Sequence, residues 1–398
     1  MITSDVLTIR QHFPSVQTPT SSYWVYEQIK AIQKMGKSFV VIAPQPYIPS
    51  IIRRKTKYPT SLKKKGVYND ILVFRPIHFR IPNYKLYGVT NYFLRKAIVK
   101  VIADISFKLI HAHFGNDGVA ALPLRKKYNV PLITSFYGYD LSDQLEVLKS
   151  YYKDLAIHGD LFLALSQDMK NDLLKAGFHE DKIVVHHLGV NFMEIDKYYK
   201  IKQIEEVKTF LIVARFSERK GIHDAIKAFS KALTVFPNIL LKVVGNGEYK
   251  ESLFRLVSEL NINKNVIFID NFQSDNPRRI VLEEMALCDV FVLTSYTTSD
   301  GSKEGTPIVL MEAQAMAKPC ISTYHAGIPE IIIHEKTGIL VEERDINGIE
   351  NAIIKLIKNK ALARKMGEEG RLHMKLDFDN KKQNKILNQI YSNMCKNI

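Results

Sequence analysis

The chain has 398 residues, of which 46% are hydrophobic and 24% charged, the balance of a folded protein and not of a disordered one. This length predicts two domains of roughly 150–200 residues each. The three cysteines stand far apart without metal-ligand or redox spacing, which favours a reducing cytoplasm. No signal-peptide pattern opens the chain, and no apolar run approaches the roughly 20 residues that span a bilayer. We therefore expect a cytoplasmic protein without a transmembrane segment.

The formal net charge of +15 is unevenly distributed. Residues 1–200 carry 28 Lys and Arg against 16 Asp and Glu, whereas the remainder carries 28 against 25. The densest basic segment contains Arg53, Arg54, Lys55, Lys57, Lys63, Lys64 and Lys65. This segment is either a solvated loop or a surface attracted to anionic lipid headgroups, where each basic residue contributes about 1 kcal/mol. Nucleic acid is the weakest alternative, because no recognised nucleic-acid module accompanies the charge, and we expect none to bind.

In chain order, apolar runs of strand length alternate with amphipathic runs of helix length, a pattern typical of βαβ units with parallel sheets. In the first half we predict strands near 5–13, 38–43, 70–75, 108–113, 131–136, 160–165 and 182–187. The most evident helices of this half are predicted near 20–35, 116–127 and 167–176. From about residue 189 the sequence becomes polar and weakly periodic, which indicates an interdomain linker.

The second half repeats this alternation. Strands are predicted near 209–214, 239–244, 265–269, 289–294, 319–322 and 338–341. Helices are predicted near 221–235, 248–260, 277–286, 307–317 and 346–358, and two more, near 360–372 and 380–394, close the chain. Two α/β domains in series enclose a cleft, and open parallel sheets bind ligands beyond the carboxyl ends of their strands. We expect the functional site in that cleft.

The segment DGSKEGTPIVLMEAQAMAKP (300–319) is the most informative part of the sequence, because it follows a buried strand. Thr306 is expected to cap the next helix, with Pro307 as its first helical residue. Gly305 allows a ligand close to the backbone, and the free amides of the first turn form an anion site.

Glu312 stands within the otherwise apolar part of this helix, where a carboxylate is costly unless it accepts hydrogen bonds. Ribose hydroxyls would supply such bonds, and so would a structural backbone donor. Glu304, just before the turn, is placed to reach whatever lies beyond the anion. The segment could thus hold a sugar, a diphosphate and a ribose in that order. The alternative is an ordinary capped helix that tolerates one Glu.

Glu304 and Glu312 form a Glu-x7-Glu motif, and its EGTPIVLMEAQA setting resembles the retaining glycosyltransferases of the GT-B fold, group 1 or family 4. In that family the first Glu contacts the donor sugar and the second the nucleotide ribose. VARFSERKGIHDAIKAF (213–229) is similar to the family segment whose Arg and Lys bind the diphosphate, which implicates Arg215 and Lys220. Taken alone, these two residues would be interpreted as surface charges in a turn.

Two further segments of the second half resemble the family. VVGNGEYKESL (243–253) is similar to its Gly-rich turn, with Gly245 and Gly247, and STYHAGIPEIIIHEKTGILV (322–341) to a later loop. The resemblance assigns these glycines and the first-turn residues 305–308 (Gly305, Thr306, Pro307 and Ile308) to donor binding. It covers essentially all of residues 208–345.

The first half resembles the family more loosely, through FKLIHAHFGNDGVAALPLRKKYNVPLITSFYGYDLS (107–142). Where members commonly have His-Gly-x-Asp, this chain has Tyr137-Gly138-Tyr139-Asp140. A tyrosine, with a pKa of about 10, cannot act as an imidazole would at neutral pH. His113, at the end of the preceding strand, is either structural or on the acceptor side with Tyr137 and Asp140. The spacing of Asp140 and Asp143, taken alone, indicates solvated surface.

The resemblance implies an α/β protein of two Rossmann-like domains facing a cleft. We predict an acceptor-binding domain at 1–192, a domain at 205–378 that binds the nucleotide sugar, and a C-terminal helix at 379–398 that packs back on the first domain. The expected enzyme is a glycosyltransferase of the hexosyltransferase type in bacterial surface polysaccharide or lipopolysaccharide biosynthesis, peripheral at the inner face of the membrane. Its donor would be a nucleoside-diphosphate sugar, its acceptor a glycan or lipid-linked glycan. Glu304, Arg215 and Lys220 would be catalytic.

No metal or other cofactor is expected, because the sequence has no HExxH or CxxC motif. P-loop and Gly-x-Ser-x-Gly motifs are absent as well, so phosphoryl transfer and serine hydrolase chemistry are not supported. Two alternatives remain. One is a nucleotide-sugar epimerase of the same fold, and the other a non-catalytic basic scaffold at the membrane.

Overall fold

The computed structural model describes residues 2–18, 21–47, 62–79, 87–141, 145–199 and 206–396. Within these ranges the chain forms two large sheets, one from residues 2–185 and one from residues 209–341. Helices cover the sheets, so the strands are buried on both faces and have nearly continuous apolar sequences, as in ILVF (71–74) and VFVL (290–293). The predicted α/β architecture of two doubly wound sheets is confirmed.

The first sheet has eight strands in the order β10-β9-β8-β7-β1-β2-β5-β4. Their bounds are β1 Ile2–Ile9, β2 Phe39–Ile42, β4 Lys65–Tyr68, β5 Ile71–Phe74, β7 Ile105–His113, β8 Leu132–Ser135, β9 Leu161–Ala164 and β10 Ile183–Val185. All neighbours are parallel except β4 and β5. A two-stranded parallel sheet of β3 (Gln45–Pro46) and β6 (Ile77–His78) follows β2 and β5 at their carboxyl ends.

Among the described residues of the first half, the longer α-helices are Tyr23–Gln33, Tyr87–Ile102, Gly115–Tyr128, Leu145–His158 and Gln167–Lys175. A short helix, Phe192–Ile195, stands in the linker. The register pairs Ile9 with Ala112, and His113 with Ser135, so β1, β7 and β8 end at one level. The residues that follow these strands therefore share one edge of the sheet.

The second sheet is parallel throughout, in the order β13-β12-β11-β14-β15-β16. Its strands are β11 Thr209–Val213, β12 Leu240–Val244, β13 Val266–Ile269, β14 Val290–Leu293, β15 Cys320–Thr323 and β16 Gly338–Val341. Its helices are Ile222–Leu233, Lys250–Glu259, Pro277–Leu287, Ile308–Ala315, Ile328–Ile331, Ile346–Lys358 and Lys360–Asp377, and the chain closes with Asn380–Lys396.

The last helix packs on the first sheet, not the second. Leu387 and Tyr391 are buried in one apolar cluster with Phe39 and Leu109. The chain thus crosses between the two domains twice, near Val190 and again near Phe378. Backbone hydrogen bonds join these two crossings. Val190 N–H donates to Phe378 O at 2.7 Å, and Asn380 N–H donates to Val190 O at 3.0 Å.

The predicted strand positions agree with the structure to within a few residues, because buried strands are distinct in sequence. The antiparallel edge strand β4 was not predicted. Its turn to β5 is made by Asn69 and Asp70, both with positive φ (46° and 67°). Two such residues form the primed turn that matches the twist of a hairpin, and Asn and Asp tolerate this conformation.

Within the described ranges, no helix combines the length and the apolar sequence needed to cross a bilayer.

Candidate active site in the interdomain cleft

The Glu304–Glu312 segment lies beyond the carboxyl end of β14, as predicted, but its helix begins later than expected. The helix starts at Ile308 with Pro307 in the capping position, and no side chain caps it. Thr306 instead donates its hydroxyl to Leu165 O in the first domain, at 3.3 Å. The prediction that Thr306 caps the helix is therefore wrong, because the other domain engages its hydroxyl. The first-turn amides remain without a side-chain acceptor.

Glu304 is a largely buried carboxylate, with its side chain 14% exposed, and it is held from two sides. Its side chain forms an ion pair with Lys220. Its backbone N–H donates to His325 Nε2 at 2.9 Å, and His325 Nδ1 in turn donates to Glu343 Oε1 at 2.6 Å. Since Nε2 accepts, the His325 ring carries its proton on Nδ1. Burial acts most strongly on the pKa of Glu304 and raises it, but Lys220 and Arg219 together contribute to a net lowering of that pKa below its usual value.

Lys220 owes its position to a tight turn. The 3₁₀ turn Glu218–Lys220 follows β11, and Gly221 then adopts φ 64° to start the next helix. Gly221 contacts Thr294 so closely that a Cβ would meet the Thr294 backbone. Only glycine satisfies both conditions without strain. Thr294 Oγ1 donates to Gly221 O at 2.8 Å, which ties the turn to the end of β14.

Arg215 is not brought to the same place. Its side chain is 71% exposed and pairs with Glu248, with Nη2 and Oε2 3.1 Å apart. Arg219, which the sequence did not single out, contributes positive charge near Glu304 and donates to Ser302 Oγ at 3.3 Å. Two cations, Lys220 and Arg219, therefore lie near Glu304. Arg215 lies apart from them, at the exposed rim of the cleft.

Gly245 and Gly247 form the turn that carries Glu248. Gly245 has φ 145° and lies against Ala214, and Gly247 lies against the Phe216 backbone. Phe216 N–H also donates to Asn246 O at 2.9 Å. These glycines thus allow the Gly-rich turn to pack on the loop that bears Arg215.

Glu312 has a partner that the sequence did not indicate. Its Oε1 lies 2.6 Å from Nη1 of Arg278, at the start of the Pro277–Leu287 helix. Arg278 also reaches Glu194 in the linker, at 2.9 Å. Glu312 is 4% exposed, and its Oε2 has no hydrogen-bond partner among the described residues. Burial raises the pKa of Glu312, and Arg278 opposes this only in part.

A cavity of about 590 Å³ adjoins this ion pair. It lies between the Tyr23–Gln33 helix of the first domain and the Ile308–Ala315 helix of the second. Its lining includes Tyr23, Trp24, Glu27, Glu194, Arg278 and Glu312. Aromatic rings, carboxylates and amide groups at one opening suit a neutral, hydroxyl-bearing ligand.

The opposite wall of the cleft is a buried polar cluster at the carboxyl edge of the first sheet. His113 Nδ1 and the Tyr137 hydroxyl are 2.8 Å apart. Burial lowers the pKa of His113 well below its usual value, so this ring is neutral. His111, two residues earlier on β7, contacts Ser135 Oγ at 2.8 Å and the Tyr391 hydroxyl at 2.6 Å, so this ring joins two elements of the fold.

Asp140 belongs to this buried cluster, so its interpretation as solvated surface is wrong. It is 5% exposed and accepts hydrogen bonds from the amides of Tyr137 at 2.9 Å and Gly115 at 3.2 Å. Asp143 lies outside the described residues. Burial raises the pKa of Asp140 to about 8. The i, i+3 spacing was misleading because Asp140 folds back to close its own turn.

Arg10 and Asp117 complete the cluster and were not predicted. Both side chains are buried, with Arg10 Nη1 3.7 Å from Asp117 Oδ2 and the guanidinium 3.9 Å from the Phe114 ring centroid. Burial raises the pKa of Asp117 to about 7, although Arg10 opposes the shift.

The two walls meet at a contact between glycines. A Cβ on Gly138 would lie 2.9 Å from Gly305 Cα, and a Cβ on Gly305 would lie 3.0 Å from Gly138 N. Around this contact, Lys303 bridges to Asp168 at 2.9 Å and to Asp172 at 2.6 Å. Gln167 N–H donates to Glu330 Oε1 at 2.7 Å. The cleft is thus closed at its centre, with Glu304 directly before the contact.

No group of three or more His, Cys, Asp or Glu side chains suited to hold a metal ion occurs in the described ranges.

Two facing α/β domains, a C-terminal helix that returns to the first domain, and paired carboxylates at the carboxyl edge of the second sheet define a two-domain glycosyltransferase of the GT-B fold. Comparison with solved structures agrees. Sucrose-phosphate synthase from Thermosynechococcus elongatus superimposes with a TM-score of 0.76 at 20% identity, over 99% of this chain and 100% of the other. Anabaena Alr3699/HepE in complex with UDP and glucose gives 0.72 at 16% identity, over 98% and 99%.

Sequence comparison gives the family. The model of glycosyl transferases group 1 matches residues 194–373, and that of glycosyltransferase family 4 matches residues 22–193. The putative colanic acid biosynthesis glycosyltransferase WcaL of Escherichia coli is 32% identical over 83% of this chain and 86% of its own length. The amylovoran biosynthesis glycosyltransferase AmsK of Erwinia amylovora is 30% identical over 63% and 61%. The chain therefore belongs to the group 1 glycosyltransferases, and it is an enzyme.

The Arg278–Glu312 pair gives a first prediction. Arg278→Met should destabilise the fold by about 3 kcal/mol, because it leaves a buried carboxylate unpaired. Adding Glu312→Gln to this variant should recover much of the loss. The measurement is the free energy of unfolding by denaturant for the parent, for each single variant and for the double variant.

The neighbouring Arg279 provides the matched control. It is 62% exposed and pairs with Glu283 four residues on, so Arg279→Met should cost only about 0.5 kcal/mol. If Arg278→Met costs no more than Arg279→Met, Arg278 does not neutralise Glu312 in solution.

A second prediction concerns pH. Asp117 has a folded-state pKa of about 7, above its ordinary value of 3.8, so the folded protein binds the extra proton between these values. Stability should therefore fall as pH rises through this interval, and Asp140 contributes with the same sign. Asp117→Asn should flatten the dependence of the unfolding free energy on pH, and Asp104→Asn, at an exposed site, should not. An equal slope in all three proteins would contradict the assignment.

Proposed function

We propose that this glycosyltransferase moves a sugar from a nucleoside-diphosphate sugar to a glycan or lipid-linked acceptor, with retention at the anomeric carbon and without a metal ion. The observation that carries the proposal is a pair of carboxylates eight residues apart at the edge of the cleft, Glu304, which is largely buried, and Glu312, which is buried. Each has one oxygen engaged by a cation. The free Oε2 of Glu312 adjoins a cavity large enough for a nucleoside.

In this proposal the donor lies along the second domain. Its ribose donates hydrogen bonds to Glu312 Oε2, and its diphosphate occupies the space before the backbone N–H groups of Gly305, Thr306 and Ile308. Its sugar contacts Glu304. The negative charge that develops on the departing diphosphate is stabilised by Lys220 and these amides, with Arg215 and Arg219 at the rim. Preorganised charges of this kind usually provide the largest part of catalysis.

The acceptor lies on the side of the first domain. His113 and Tyr137 stand at the edge that faces Glu304, and the neutral ring of His113 favours a hydrogen-bonding role over a charged one. Surface polysaccharide biosynthesis in a bacterium is the pathway we propose, since the putative WcaL and AmsK are named for colanic acid and amylovoran biosynthesis. HepE was solved with UDP-glucose, which makes UDP-sugars the first donors to test.

Site variants test the assignment of the two carboxylates. Glu304→Gln should lower kcat by about 10²–10³, because Glu304 touches the reacting sugar. Glu312→Gln should raise the donor KM by about tenfold or more, as expected for a hydrogen bond to a charged group. Glu335→Gln, at a carboxylate exposed on the same domain, is the control. Small, equal effects of Glu304→Gln and Glu312→Gln on kinetics would contradict the proposed roles.

Metal dependence gives the next test. The enzyme should remain active in excess EDTA, since lysine, arginine and helix amides neutralise the diphosphate in this proposal. Loss of activity that Mg²⁺ or Mn²⁺ restores would show that a metal does this instead. NMR of the product, which reports the anomeric configuration, tests retention in the same reaction.

An epimerase of the same fold would isomerise the nucleotide sugar when incubated with the donor alone, and it needs no acceptor. A non-catalytic scaffold would show no transfer to any acceptor, and it would not need the Lys220–Glu304 pair.

The basic segment at 53–65 is proposed to attract an anionic membrane. Arg53, Arg54, Lys55 and Lys57 lie outside the described residues, and Lys63, Lys64 and Lys65 are exposed.

A further inference from the structure

The Tyr87–Ile102 helix turns an unusual face to solvent. Its inner face is buried, through Thr90, Leu94, Ile98 and Ile102. Its outer stripe consists of Val89, Tyr92, Phe93, Lys96 and Lys100. A surface helix ordinarily directs polar residues outward. In this helix the exposed fractions are 41% for Val89, 45% for Tyr92 and 39% for Phe93.

A second element extends this apolar surface. Ile77 and Phe79, in β6 and directly after it, are 52% and 50% exposed. The rings of Phe79 and Phe93 meet edge to face, with centroids 5.8 Å apart. Between the two elements runs an open groove of about 470 Å³, bordered also by Lys96 and Lys100. Contiguous exposed apolar surface of this kind marks an interaction site.

The stretch of sequence that contains this surface is strongly basic. Residues 51–100 contain 13 Lys and Arg and a single acidic residue, Asp70. This stretch therefore accounts for the whole positive excess of the first 200 residues. In the helix itself, Lys96 Nζ and the Arg95 guanidinium lie 5.1 Å and 5.8 Å from the Tyr92 ring centroid. The cations thus border the aromatic rings directly.

We propose that an aromatic–basic face, made of Ile77, Phe79, Tyr92, Phe93, Lys96 and Lys100, docks on an anionic lipid bilayer. Aromatic rings prefer the headgroup level, and lysines beside them attract acidic lipids. A second copy of the chain fits less well, because two such faces would bring like charges together. This face shares no residue with the 53–65 segment, and its apolar side chains would supply a contact that salt does not screen.

The position of the face also suggests how the enzyme is oriented. Phe79 follows β5 and β6 at the carboxyl edge of the first sheet, the edge that carries His113 and Tyr137. The bilayer would then lie on the acceptor side of the cleft, so that a lipid-linked acceptor reaches the site without leaving the membrane. This orientation rests on the proposed function, whereas the docking itself does not.

Vesicle co-sedimentation of the full chain tests the docking, with mixed phosphatidylglycerol–phosphatidylcholine vesicles and pure phosphatidylcholine vesicles. The parent should bind the acidic vesicles and keep part of this binding at high salt, where charges are screened. Lys96→Gln with Lys100→Gln should weaken low-salt binding by about fivefold for each lysine. Phe79→Ser with Phe93→Ser should abolish the part that survives high salt.

Leu372→Ser with Leu376→Ser is the matched control, because both leucines are more than half exposed on the second domain. This control should bind as the parent does. Phe79→Ser alone, at a half-exposed position, serves if the double variant does not fold. Thermal shift with UDP-glucose reports donor binding separately, so failure of the donor site is distinguishable from failure of docking.

Equal sedimentation of the parent and the Phe variants would overturn the proposal. A parent dimer, seen by analytical ultracentrifugation, that the Phe variants dissociate would overturn it as well.

Discussion

A carboxylate stays ionised away from water only where a cation or an N–H group faces it, and this constraint organises the cleft of the protein. Glu304 is opposed by Lys220, Glu312 by Arg278, and Asp117 by Arg10. Each pair joins residues distant in sequence, so each fixes two elements relative to one another. The direction of the pKa shift differs among the three acids. Nearby positive charge lowers the pKa of Glu304, whereas burial raises the pKa of Glu312 and of Asp117. One cleft thus contains carboxylates with different tendencies to hold a proton.

Arg278 joins the cavity to the interdomain linker. The same guanidinium contacts Glu312 at the cavity and Glu194 in the linker. The positions of the Glu312 carboxylate and of the linker are therefore coupled through one side chain. The contact between Gly138 and Gly305 holds the two walls of the cleft close together.

Much of the fold could be predicted from the sequence, because a buried parallel strand leaves a continuous apolar run. Glu312 could be predicted for a related reason, since a carboxylate among Leu310, Met311 and Ala313 is conspicuous. Its partner could not, because Arg278 lies 34 residues away on another helix and no spacing connects the two. Thr306 and Asp140 were misjudged because local patterns omit tertiary contacts. Leu165 of the other domain engages Thr306, and the amide of Gly115, 25 residues earlier in the chain, engages Asp140.

The last helix makes the folding of the first domain depend on residues that follow the second domain. Residues 380–396 are synthesised after the second domain, yet Tyr391 completes the hydrogen bonding of His111 in the first. During translation, the first domain must therefore wait for the end of the chain before that buried ring is satisfied. A gene fragment that stops within the linker would encode a first domain with an open apolar seam, and a separate peptide of the last helix should be able to close it.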